Sequence, residues 1–162
     1  MDIIRVYTDG SCLNNGKKNA IAGIGIYFGK NDPRNTSKRI SGKQTNNTAE
    51  LKAVIEVFHI LKKDLQENKK IIIYSDSEYT IKCTGSFGED SQKLQWKKKR
   101  GKGFIPNHEL VKEIYEYFQK YPNVSIEYIR GHTNLLDQHS FGNNEADLLA
   151  RLATDIKFKV KE

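Results

Sequence analysis

Apolar positions fall in short runs along this chain, and their period switches between two and roughly 3.6. Residues 3–9 (IIRVYTD) predict a strand of mostly β-branched and aromatic residues that stops at Asp9, before a Gly10-Ser11-Cys12 turn. A polar loop over 13–19 leads to a second strand at 20–28 (AIAGIGIYF). There Gly23 and Gly25 leave one face bare for close approach by a backbone or a ligand. A turn containing Asp32-Pro33 precedes a third, more polar strand at 36–41, so the first three strands predict an antiparallel meander.

Val54, Val57, Phe58, Leu61 and Leu65 then recur at helical spacing, predicting one helix to about residue 67. Glu50 lies one turn before Val54 and shares its inward face. Asn47 as N-cap with Glu50 three residues on is also a capping-box pattern, which gives Glu50 a structural use as well. The unbroken apolar run 71–74 predicts a strand covered on both faces and ended by Ser75-Asp76-Ser77, with Ser77 capping a short helix over 78–84. Residues 85–103 carry no regular period. Pro106-Asn107 opens a helix with Leu110, Ile114, Tyr117, Phe118 and Tyr121 on one side, and Val124, Ile126 and Tyr128 alternate in a last strand. A polar loop over 133–142 holds His139. The final helix is expected near residue 144, with Asp147 in its first turn, where an acid also suits the helix dipole. Strand, helix, strand order over the second half implies a parallel part of the sheet and an α/β fold.

The 162 residues fit one domain, and 37% hydrophobic with 29% charged content is that of a globular chain. No run is long enough to span a membrane, and the strand beginning at Ile3 leaves no room for a signal peptide. Cys12 and Cys83 make no disulfide framework, and CxxC and HExxH patterns are absent, which argues against zinc. An intracellular, unsecreted protein is therefore expected, with cytoplasm and nucleus fitting equally, and a monomer, because the amphipathic faces are all used in one core. The net charge of +7 favours a polyanionic partner. Lys93, Lys97, Lys98, Lys99, Arg100 and Lys102 surround Trp96, with Phe87 upstream; exposed aromatics among cations suit nucleic acid, while a solvated charge run is the plainer explanation.

Four acids stand out by position. Asp9 and Asp76 each end an apolar strand, and Glu50 and Asp147 open helices with inward-facing first turns. If the first and fourth strands are neighbours, the four carboxylates meet at one sheet edge. They cannot all stay ionised there unless cations neutralise them. Oxygen-only ligands favour Mg²⁺ or Mn²⁺, and two such ions can activate water and stabilise a leaving phosphodiester oxygen. Nucleic-acid hydrolysis follows as the expected chemistry.

The segments VYTDGSC, TNNTAEL, IIIYSDSEYTIK, Trp96-Lys97-Lys98, RGHT and NNEADLLARLA resemble, in the same order and over nearly the whole chain, ribonucleases H of type 1. The resemblance implies a five-stranded mixed sheet, strands 1–3 antiparallel and 4 and 5 parallel, flanked by helices. It implies an endonuclease that cuts the RNA strand of RNA/DNA hybrids with two Mg²⁺ ions (Mn²⁺ substituting), leaving 5′-phosphate and 3′-hydroxyl ends. Residues 1–156 would be the catalytic domain and 157–162 a charged tail, with no separate hybrid-binding domain. Asp9, Glu50, Asp76 and Asp147 fall on the family's metal ligands: Asp9 bridges both ions, Asp147 joins it at the water-activating one, and Glu50 and Asp76 complete the other. His132 matches a loop histidine that assists product departure, and His139 is a second histidine in that loop. Asn14, Asn46 and Asn47 resemble contacts to ribose 2′-hydroxyls and minor-groove bases. Lys43, Thr45 and Asn107 resemble a pocket for a DNA phosphate, with Lys43 where many relatives carry Arg. Trp96, Phe87 and Tyr79 match the aromatic side of the DNA-strand channel. The 76–96 stretch is longer than in relatives and 97–107 shorter, and the 132–147 loop is extended.

Overall fold

A computed structural model describes residues 2–131 and 137–155. Its elements run β1 (Ile3–Leu13), β2 (Ile21–Tyr27), β3 (Thr36–Arg39), α1 (Asn46–Ile60), α2 (Lys62–Gln66), β4 (Lys70–Ser75), α3 (Glu78–Thr84), α4 (Ser86–Lys93), α5 (His108–Lys120), β5 (Val124–Tyr128) and α6 (Gln138–Thr154). The sheet order is β3-β2-β1-β4-β5, with β1–β2 and β2–β3 antiparallel and β1–β4 and β4–β5 parallel, as expected.

Strand alternation divides the core into two layers. Val6, Ile71 and Ile73 point to one face, where the α1 stripe Val54, Val57, Phe58 and Leu61 covers them together with Val111 and Ile114 of α5. Tyr7, Ile72 and Tyr74 point to the other face, against Ala146 of α6. Each fully buried Ile or Val contributes about 1.5–3 kcal/mol. The bare face of β2 is where α6 lies. A β-carbon on Gly25 would collide with the Ala146 carbonyl oxygen and lie 2.5 Å from the Ala150 nitrogen, so the approach is by a backbone.

Several local expectations are corrected. β1 does not stop at Asp9; it pairs with β2 as far as Leu13, and the chain turns at Asn14, whose φ is 57°. Thr45, not Asn47, caps α1: its hydroxyl accepts from Thr48 N–H, and Thr48 returns a bond to the Thr45 N–H. Glu50 thus has no capping duty. The single expected helix to residue 67 breaks at Leu61, which stays buried while α2 carries the stripe on through Leu65. Part of the 85–103 stretch is helical (α4), and α5 begins at His108, after Asn107 in the left-handed region at φ 59°. α6 starts six residues before the expected 144, capped by Asp137, which accepts from Ser140 N–H. His139 therefore lies in a helix, and Asp147 sits in the third turn rather than the first. His132 and residues 157–162 lie outside the described residues.

Candidate active site

The β1–β4 ladder ends where Thr8 faces Ser75, so the next residues, Asp9 and Asp76, stand side by side at the carboxyl edge of two parallel strands. The longer pairing with β2 holds Asp9 in strand geometry opposite Gly25. Gly10 admits α1 to this edge, since a β-carbon there would lie 2.5 Å from the Glu50 nitrogen. The Gly10 N–H donates to Glu50 Oε1 (2.8 Å) and to Asp9 Oδ1 (2.9 Å). One carboxylate oxygen each from Asp9, Glu50 and Asp76 lies within 4.8 Å of the others. Asp147 comes to the same site from α6, where its Oδ2 accepts from Arg151 Nε at 2.9 Å. All four acids line one cavity of about 470 Å³, with Asn46 and Asn47 in its wall.

Electrostatics follow from this crowding. Asp9 is 4% exposed, and burial, then the Glu50 and Asp76 charges, hold its carboxyl far above the ordinary carboxylate range. Burial also raises Glu50, with Asp76 and Asp147 adding to it, while hydrogen bonds from Asp9 and the Gly10 N–H pull the other way. Carboxylates that raise one another's proton affinity are neutralised equally well by a divalent cation. The all-oxygen donor set suits a hard ion, so Asp9, Glu50 and Asp76 fit a metal, with Asp147 beside them.

The other expected contacts divide. Lys43 Nζ approaches Asn107 Oδ1 (3.4 Å) and Asn107 Nδ2 approaches the Tyr79 hydroxyl (3.5 Å), so three of these side chains form a second cluster. The Thr45 hydroxyl is occupied in capping α1. Asn14 shapes the β1–β2 turn, and its neighbour Asn15 accepts from the Asn46 N–H (3.2 Å), tying that turn to the start of α1. Phe87 is 37% exposed on α4. Trp96 contradicts the expectation of an exposed ring: it is buried in the core, edge-on to Tyr115 at 6.0 Å. Its φ of 65° turns it inward from the lysine run. His139 bonds the Tyr7 hydroxyl (2.9 Å) and packs on Tyr74 (4.5 Å), which removes it from the loop role. Two features escaped sequence reasoning. Arg151 was legible as the i,i+4 partner of Asp147. Phe104, half exposed and stacked on His108 at 4.2 Å, had no periodic signal to mark it.

Among the described residues no helix is long and apolar enough to cross a membrane. The chain is 40% identical over 147 residues to a ribonuclease H of Schizosaccharomyces pombe, covering 90% of this chain and 51% of that protein. It is 32% identical over 155 residues to a ribonuclease H of Clostridium botulinum, covering 96% of this chain and 97% of that one. It thus spans about half the length of the first relatives it matches and nearly all of the bacterial one. Its fold is similar to that of a foamy viral protease–reverse transcriptase solved in complex with RNA/DNA hybrid (TM-score 0.74, 21% identity, 93% of this chain, 20% of the other). Residues 2–155 match the RNase H family, and the chain belongs to it.

Proposed function

We propose that this protein is an endonuclease that hydrolyses the RNA strand of RNA/DNA hybrids, with 5′-phosphate and 3′-hydroxyl products. The observation that carries the proposal is the meeting of Asp9, Glu50 and Asp76 oxygens within 4.8 Å in an open, asparagine-walled cavity. Membership of the RNase H family and the hybrid in the viral relative's structure support the substrate. Asp9, Glu50, Asp76 and Asp147 would hold two Mg²⁺ ions, with Mn²⁺ as substitute. When bound, such ions supply a nucleophilic water and charge stabilisation at the leaving oxygen.

The chain's own residues do the rest. The Gly10 N–H, donating to both Asp9 and Glu50, ties those two carboxylates together before substrate arrives. Asn14, Asn46 and Asn47 present amides to the minor groove, where a 2′-hydroxyl distinguishes RNA from DNA. Lys43 and Asn107, with Tyr79 behind them, hold a DNA-strand phosphate and set the register of the scissile bond. Thr45 orders the start of α1 beneath that phosphate, Phe87 lines the DNA-strand side, and His132 aids product departure.

Labelled RNA/DNA hybrid, duplex DNA and duplex RNA of one sequence, incubated with Mg²⁺ or with EDTA, test this. The expected result is Mg²⁺-dependent cutting of the hybrid's RNA alone. A hybrid that is shifted in a gel but never cut would make the protein a binding module. Preferential cutting of DNA would make it a different nuclease on the same fold.

A further inference from the structure

Residues 97 and 104 pair across an antiparallel bridge, and Lys98 N–H donates to the Gly103 carbonyl (3.0 Å), so 97–104 forms a short finger. The buried Trp96 anchors its base, its carbonyl accepting from Ile105 N–H (3.0 Å). Between this finger and α4 lies a cavity of about 520 Å³. Its floor is apolar: Phe87 and Leu94, 37% and 40% exposed, with Ile105 and Pro106. Its rim is cationic, with Lys97, Lys98, Lys99 and Arg100 in succession, while the α4 side carries one carboxylate, Asp90, beside the buried Ser91.

The two halves of this cavity ask for different things. A phosphate backbone uses the rim, but a hydrated phosphate gains nothing from the apolar floor. A base inside a duplex keeps its faces stacked and cannot cover that floor. A nucleotide with a free base satisfies both halves, its phosphates on the rim and its aromatic face against Phe87 and Leu94. Position favours the same ligand. Pro106 of the floor leads directly into Asn107, whose side chain meets Lys43 and Tyr79, so the cavity continues the surface assigned above to the DNA-strand phosphate.

We infer that the cavity between α4 and the 97–104 finger binds an unpaired nucleotide in a single-stranded segment running on from the hybrid. This rests on the proposal that the protein acts on hybrids. An acidic peptide with an apolar anchor would match the same charges, but nothing places such a peptide on the path from the Asn107 cluster.

The test uses the full chain with Ca²⁺ in place of Mg²⁺, and follows fluorescence anisotropy at one salt concentration. Three labelled hybrids are compared: blunt, with a short thymidine DNA overhang, and with an abasic overhang of equal length that keeps the phosphates but lacks bases. The thymidine overhang is expected to bind about tenfold tighter than the abasic one, as stacking on an apolar floor provides. Leu94→Ser removes that difference and leaves blunt-hybrid affinity and Mg²⁺-dependent cleavage unchanged, whereas Leu94→Phe preserves it. Leu94 is 40% exposed, so both variants fold, and their melting curves verify this. Equal affinity for thymidine and abasic overhangs in the wild type overturns the inference, and so does a gain that survives Leu94→Ser. Displacement of the overhang by an acidic phenylalanine peptide that binds more tightly reassigns the cavity to a protein partner. Failure of the blunt hybrid to bind or be cut removes the hybrid proposal itself, and this inference with it.

Discussion

Replacing Asp9 by Asn separates what the acidic cluster does for chemistry from what it does to stability. Oxygens of Asp9, Glu50 and Asp76 lie within 4.8 Å of one another, and two unit charges at that separation repel by about 3.5 kcal/mol at an effective dielectric of ~20. Proton sharing within the cluster relieves part of this, so Asp9→Asn is expected to stabilise the metal-free protein by about 2 kcal/mol at a pH near 8. The amide keeps the side chain's shape and still accepts from the Gly10 N–H.

The pH dependence fixes the sign. Glu50 is pushed up from 4.5 to about 7, and Asp9 is raised as well, so the folded state binds more protons than the unfolded one. The stability these groups contribute is complete below their unfolded values. It is lost as the pH rises through the folded values, which for Glu50 is the interval from 4.5 to about 7. Urea denaturation in EDTA should therefore find wild type and Asp9→Asn alike near pH 4, with the variant pulling ahead from there upward and still gaining past neutrality, because the group it removes, Asp9, is raised from 3.8 to about 12. Saturating Mg²⁺ should reverse the order, because only the wild type presents all its ligands and gains binding energy on folding. Hybrid cleavage should fall at least about a thousandfold. A variant less stable than wild type in EDTA near pH 8, or a difference independent of pH, would refute the reasoning.

Gly25→Ala should destabilise by about 3 kcal/mol in urea denaturation and lower kcat, because α6, which carries Asp147, must move off β2. Trp96→Phe should lower the melting temperature and leave KM for hybrid within about twofold, since the ring is buried against Tyr115; a selective rise in KM would restore it as a substrate contact. Lys98→Ala with Lys99→Ala should weaken binding of an overhang-bearing hybrid, whatever its sequence, more than of a blunt one, and flatten the overhang hybrid's slope of log affinity against log salt by roughly two, read by anisotropy titrations. Tyr7→Phe, which removes the 2.9 Å bond to His139 Nδ1, should cost about 1 kcal/mol in a denaturation curve.

Asp9 and Asp76 were legible because a carboxylate ending an apolar strand is a local pattern, and the parallel pairing of β1 with β4 then places them together. Glu50 was legible from its spacing to Val54, although its capping role was not real; Thr45 and Thr48 form the box. Asp147 is legible as an inward-facing helical acid, but its place in the third turn of α6 is not. The first two turns of α6 (Gln138, His139, Asn143, Asn144) are largely polar and show no apolar period, because what they bury are Ser140, Gly142 and Asn143 rather than aliphatic side chains. Only the Asp137–Ser140 cap marks the true start. The burial of Trp96 is hidden for a different reason. Its neighbours in sequence are lysines, and only the packing of α5 across it, together with a left-handed backbone at a non-glycine position, reveals a core residue.

The three mutually close acids come from different elements: β1 and β4 share a backbone ladder, while α1 lies across them mainly through apolar contacts. Asp9 belongs to the centre of the sheet, Glu50 to the layer above it, and Asp76 to the next strand, with Asp147 arriving from the helix on the opposite face. Where these acids are ionised without a cation, their like charges push the elements apart, and the surrounding core opposes that push: the buried Val6, Ile73 and Val54 lie three or four residues from Asp9, Asp76 and Glu50. A bound divalent ion turns the same contacts from repulsive to attractive and links the sheet to the helices on both of its faces. Metal binding should therefore stiffen the molecule most at the one place where β1, β4, α1 and α6 meet. Hydrogen exchange at the Gly10 amide, which already donates to two of the acids, is the local probe of that stiffening. Slower exchange there on adding Mg²⁺, and no slowing in Asp9→Asn, is the expected outcome. Equal protection with and without the ion would mean that the cluster does not bind it as a unit.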